Sequence, residues 1–136
     1  MTQRTLVLIK PDAVAAGNIG RILNRYEEAG FWFEAMELRT IGDDLADRHY
    51  AEHLHRDFYP EMRAFITSGP LLAAVLRGDD AVTRVRELHG ATDPAQASPG
   101  TVRADLAESI RRNAVHASDS PSAAEREIAL WFPGLN

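Results

Sequence analysis

The sequence predicts an α+β fold, a four-stranded antiparallel sheet with helices packed on one face. Three observations lead there. Short apolar runs rich in strand formers alternate with segments of helical spacing. Glycine or proline punctuates most boundaries between them. The order of segments is strand, helix, strand, helices, strand, helix, strand, helix, which suits one sheet with its helices alongside. The chain's 136 residues suffice for one real core and are too few for two ordinary ones, so 1–136 reads as a single domain. With 45% apolar and 26% charged residues it is globular rather than disordered.

Thr5-Leu6-Val7-Leu8-Ile9 is a continuous apolar run, as expected for a strand buried on both faces. Pro11 ends it and opens a one- or two-turn helix that Gly17 stops. Asn18 is placed to cap a second helix, whose Ile19, Ile22, Leu23 and Tyr26 share one face and which Gly30 closes. Residues 31–39 alternate well enough for a second strand. Gly42-Asp43-Asp44 starts a helix to about Leu54, and another covers 59–67, stopped by Ser68-Gly69-Pro70. Leu71-Leu72-Ala73-Ala74-Val75-Leu76 is a third, buried strand. Asp79-Asp80 brings acidic charge to the first turn of a helix through Leu88, where it suits the dipole. Residues 90–102 read as a long ordered loop of the kind that carries function. Residues 113–116 are the fourth strand, and Ser122 with Glu125 has capping-box spacing for a last helix through Trp131. The sum is the ferredoxin-like βαββαβ scheme.

Composition narrows the chemistry. There is no cysteine, hence no disulfide, thiolate nucleophile or cysteine-ligated zinc. That absence, the lack of a leader-like start and the lack of a bilayer-length apolar run predict a cytoplasmic protein. A net charge of −5 argues against a dedicated nucleic-acid binder but leaves room for a local basic cleft. Fourteen cations are arginine and one, Lys10, is lysine. An ammonium beside a proline can act as a compact point charge on a phosphate oxygen, which a planar guanidinium does less well. His116 ends the apolar run Asn113-Ala114-Val115, just before Ser118-Asp119-Ser120, where a ring can be held rigidly and still face a cleft. A histidine nucleophile with a single lysine far away in sequence suggests phosphoryl transfer. No glycine-rich phosphate loop is present, so side chains must hold the phosphates. The candidates are Lys10, Arg56, Arg86, Thr92, Arg103 and Asn113.

Several motifs then fall in register: Ile9-Lys10-Pro11-Asp12, His49-Tyr50-Ala51-Glu52-His53, Ser68-Gly69-Pro70, Gly90-Ala91-Thr92-Asp93-Pro94, Pro99-Gly100-Thr101-Val102-Arg103, Asn113-Ala114-Val115-His116-Ala117-Ser118-Asp119-Ser120 and the tail from Glu125 to Phe132. Through them the chain resembles the nucleoside diphosphate kinases over essentially its whole length. The resemblance implies a ping-pong reaction. His116 takes the γ-phosphoryl of a nucleoside triphosphate as phosphohistidine and passes it to a nucleoside diphosphate. It implies that Glu127 orients the ring with Ser118 beside it, that Lys10, Tyr50, Arg86, Thr92, Arg103 and Asn113 surround phosphates and sugar, and that Arg56 is a further phosphate contact. The base would lie between Phe58 and Ile110, a stack tolerant of base identity. Mg²⁺ would come with the nucleotide, with no protein metal cage, and the chain would form a homo-oligomer, hexamer or tetramer. Phe31, Trp32 and the long loop are candidate contact surfaces.

The chain departs from the family pattern at Ala13, Ala117 and Leu54-His55-Arg56-Asp57. Asp57, where proline is usual, predicts weaker nucleotide binding through charge repulsion and a softer lid. Other readings fare worse. A serine hydrolase using Ser68 or Ser118 lacks a Gly-x-Ser-x-Gly elbow. A zinc site at His49, His53 and His55 lacks His-Glu-x-x-His, and such helix histidines read as solvated. A catalytically impaired, nucleotide-binding regulatory homologue is the alternative function; intact Lys10, Arg103, His116 and Glu127 speak against it.

Overall fold

The computed structural model describes residues 2–135. Its sheet has four antiparallel strands in the order β2-β3-β1-β4. These are β1 (Thr2–Ile9), β2 (Trp32–Arg39), β3 (Leu71–Asp79) and β4 (Val115–Ala117). Between them run α1 (Pro11–Ala15), α2 (Ile19–Glu28), α3 (Asp43–His49), α4 (Tyr59–Ile66), α5 (Ala81–His89) and α6 (Val102–Leu106), and α7 (Pro121–Trp131) follows β4. This is the expected ferredoxin-like α+β arrangement.

The central strands explain why helices cover both faces rather than one. Side chains alternate across a strand. Val7 and Ile9 of β1 and Leu72, Ala74 and Leu76 of β3 enter a core with Ile22, Tyr26 and Val85 from α2 and α5. Leu6, Leu8, Leu71, Ala73 and Val75 enter a second core with Ala46, Tyr59, Ile66, Ile128 and Trp131 from α3, α4 and α7. A strand apolar at every position needs two covers, so the one-face expectation fails.

Several boundaries move for physical reasons. β3 runs on to Asp79 because Thr2, Gln3 and Arg4 of β1 keep pairing with it. Asp79 is therefore strand, not the first turn of α5; Gln3 Oε1 accepts the free amide of Val82 at 3.2 Å instead. α3 ends at His49, short of Leu54, and a 3-10 turn over Ala51–His53 follows while the Tyr50 ring packs into the second core. Asn18 takes the N-cap position, but its side chain accepts from Arg21 at 2.9 Å rather than from the helix backbone. α7 starts two residues before the Ser122 reading. Ser120 is its cap, accepting from the Ala123 amide at 3.1 Å, with Pro121 in the first turn. The expected loop 90–102 contains a 3-10 turn over Pro94–Gln96, and α6 begins where Thr101 accepts from the Ala104 amide. Gly90 allows this chain path: its φ is +88°, and a methyl there would overlap Thr101.

β2 is an edge strand with a bulge between Phe33 and Ala35. It exposes Trp32, Met36 and Leu38, whereas Phe31 is buried and unavailable as a contact surface. No helix among the described residues is long and apolar enough to cross a membrane.

Candidate active site

Strand alternation aims the histidine. In β4, Val115 and Ala117 point into the first core, so His116, opposite Leu8, points to the face covered by α3 and α7. There Glu127 of α7 meets it: His116 Nε2 lies 2.9 Å from Glu127 Oε1. The same oxygen accepts the Ser118 hydroxyl at 2.7 Å, and Ser118 Oγ accepts the Leu6 amide at 3.2 Å. Burial alone would raise the Glu127 pKa. The bonds from His116 and Ser118, with the charges of His116 and Arg126, outweigh it and hold the carboxyl below its ordinary value. An ionised carboxylate only accepts, so whenever the imidazole is neutral its proton sits on Nε2 and its lone pair on Nδ1.

The strand before His116 is shaped by the first turn of the fold. Ala114 has φ +73°, which is why β4 starts at Val115 and not at Asn113. Buried Asp12 accepts the Ala114 amide at 3.0 Å, and the Lys10 amide donates to Ala114 O at 2.8 Å. Together they hold a conformation that costs a non-glycine residue about 1–2 kcal/mol. Lys10 Nζ then donates to Asn113 Oδ1 at 3.0 Å, and Asn113 Nδ2 to Thr92 O at 3.2 Å. Arg103 donates to the carbonyls of Val115 at 2.7 Å, Gly90 at 3.0 Å and Asn113 at 3.3 Å, clamping the loop to β4. Burial and the charge of Arg103 push the Lys10 pKa down to about 8, with Asp12 opposing. Burial and Arg86 push Arg103 down to about 10, so both are cationic at neutral pH.

These groups line one cavity of about 800 Å³. Of the residues singled out in the sequence, Lys10, Tyr50, Phe58, Arg86, Thr92, Arg103, Ile110, Asn113, His116 and Glu127 are in its wall. Ser118 lies behind Glu127. Arg56 and Asp57 are exposed and outside the wall. In the same wall, Phe58 rests against His53 on one side, and the Arg111 guanidinium lies 5.4 Å from its ring centre.

Three participants escaped the sequence reading. Arg111 carried no motif signal. Asp12 stood inside a quoted motif without a role. His49 was read as a solvated helix histidine, yet it is 4% exposed and its ring lies 4.6 Å from that of His116. His49, His116 and Glu127 bring ligand-type atoms within 4.8 Å of one another. Their donors do not suit a metal. Trp131 Nε1 donates to His49 Nδ1 at 3.0 Å, so the lone pair of that ring is already in use, and Glu127 Oε1 serves two donors.

Comparison with known proteins agrees with this geometry. The sequence profile described as nucleoside diphosphate kinase matches residues 3–136. A nucleoside diphosphate kinase of a Nocardioides species is 58% identical over 99% of this chain and 100% of its own length. One from Mycobacterium leprae is 54% identical over 99% of this chain and 100% of its own. The solved nucleoside diphosphate kinase of Aquifex aeolicus superposes with a TM-score of 0.96 at 41% identity, covering 99% of this chain and 98% of that one. A profile, relatives and a superposition that each span the chain, around a histidine seated on a carboxylate in a cationic cavity, lead to one conclusion: the chain belongs to the nucleoside diphosphate kinase family.

Proposed function

We propose that this phosphotransferase moves the γ-phosphoryl of a nucleoside triphosphate to a nucleoside diphosphate through a phosphohistidine on His116. The observation that carries the reading is the pairing of His116 Nε2 with Glu127, which leaves the Nδ1 lone pair for the cavity. Nδ1 attacks the γ-phosphorus, the bond to the β,γ-bridging oxygen breaks, and the nucleoside diphosphate departs. A second diphosphate then attacks the phosphohistidine through a terminal oxygen and restores the ring. Glu127 stabilises the Nε2–H as the ring gains positive character. Lys10, Arg86 and Arg103 offset the phosphate charge; Thr92, Asn113 and Tyr50 place the phosphates and sugar. Phe58 and Ile110 flank the base. Arg56 joins only if its turn swings inward.

Mg²⁺ fits this site as a passenger on the nucleotide. It takes oxygen ligands and keeps several waters. The cavity offers Asp119, an exposed carboxylate with no side-chain partner among the described residues, to hold it. Bound there, the ion would neutralise phosphate charge. The reading extends to a cytoplasmic homo-oligomer, hexamer or tetramer, assembled partly through the exposed apolar edge of β2.

Incubation with γ-labelled ATP and Mg²⁺ without acceptor tests the core of this. The expected outcome is an acid-labile, alkali-stable phosphoprotein, discharged by GDP and absent in His116→Ala. An unlabelled parent protein would favour the impaired homologue.

A further inference from the structure

We propose that His49 is a further hydrogen-bond donor of the phosphoryl-transfer site, acting through Nε2–H on an oxygen of the group in transit. The inference rests on His116 being the phosphoryl acceptor.

The donor is fixed by its partner on the opposite edge. Indole Nε1–H can only donate. Trp131, itself 1% exposed, places it 3.0 Å from His49 Nδ1. The His49 lone pair must therefore sit on Nδ1, and the ring proton on Nε2. The ring also stays neutral: burial first, then the charges of His116, Arg126, Lys10 and His53, push its pKa well below the ordinary imidazole value. A neutral ring locked in one tautomer is a permanent N–H donor, not a titrating group.

That N–H has no protein acceptor among the described residues. It is not sealed in the core either, unlike Nδ1 of His53 and of His89, which are buried without a partner. His49 is in the cavity wall, so the remaining open edge faces the cavity. Its ring meets His116 at 4.6 Å and 76°, and Tyr50 at 4.7 Å and 73°. An unspent donor beside the nucleophile is placed for charge that develops on the phosphoryl oxygens, where a preorganised N–H is most effective. Transfer itself requires no change at His49: no bond to it forms or breaks, and its proton stays on Nε2.

Two measurements test this. The first needs no variant. In ¹⁵N-labelled enzyme, His49 should show a bare Nδ1 and a protonated Nε2 with no titration between about pH 5.5 and 8.5. The Nε2–H signal should shift when His116 is phosphorylated. The second is single-turnover labelling by γ-labelled ATP. His49→Phe keeps a flat ring but removes the N–H, and it should slow phosphorylation about tenfold or more at nearly unchanged KM. His49→Gln, which can still donate, should retain more of the rate than His49→Phe. The idea is overturned if His49 titrates near its ordinary value, if Nδ1 carries the proton, or if His49→Phe is labelled at the parent rate per folded molecule. A His49→Phe that only melts earlier also overturns it, because that is packing alone. An unlabelled parent enzyme sinks the kinase reading instead, so the two failures are distinguishable.

Discussion

Lys10 carries a pH dependence that follows from its surroundings. Its pKa is pushed down to about 8 by burial and by Arg103. Below that pH the ammonium is charged and able to hold a phosphate; above it the charge is lost. The KM for nucleotide should therefore rise between about pH 8 and 9.5, approaching tenfold per unit. Lys10→Met should bind weakly throughout, with that limb flattened, as steady-state kinetics across pH would reveal. A KM that stays flat in the parent enzyme would mean another cation carries the phosphate. At this scale much of the site was legible in the sequence, because Lys10, Asn113, His116 and Glu127 stand in dense motifs whose chemistry is recognisable. What stayed hidden were residues whose meaning depends on a distant partner. His49 becomes a donor only because Trp131, 82 residues later, occupies its other nitrogen. Arg111 becomes a wall only because Phe58 lies beneath it.

Between residue and molecule, the decisive element is the three-residue β4. Too short to hold itself, it is fixed by the antiparallel pairing with β1, by the Arg103 clamp and by the bond from Ala114 to Asp12. Asp12→Ala should leave the buried Ala114 amide without a partner and lower stability by about 1–3 kcal/mol in urea denaturation. Asp12→Asn, which keeps an acceptor oxygen, should lose less. Equal losses in both would mean that charge, not the amide, is what Asp12 serves. Long elements were readable because periodicity accumulates over many residues: α2, α5 and the buried cores of β1 and β3 all announce themselves. Short or tertiary-dependent features were not. The left-handed Ala114 and the capping of α5 by Gln3 depend on contacts that no local window contains. Helices on both faces could have been anticipated, since a strand such as Leu6-Val7-Leu8-Ile9 has no polar side to give to water.

For the whole molecule, the exposed edge of β2 is the feature that a lone protomer would not tolerate well. Trp32 is 64% exposed, with Met36 and Leu38 nearby on an edge strand that pairs on one side only, with β3. Sedimentation of the parent enzyme should give a hexamer or tetramer, and Leu38→Glu should shift it to smaller species while secondary structure is retained. An unchanged mass in that variant would move the interface elsewhere. The site also joins widely separated parts of the chain. Lys10 meets Asn113 across 103 residues, and Leu6 meets Ser118 across 112. Such closures come late, because long loops must be brought together before any contact rewards them. A chain made only through α5 already contains Lys10 and Arg86. It has no nucleophile, and none can be oriented until Glu127 has been made. The pairing that seats the phosphate carrier therefore exists only once the chain has been made past Glu127.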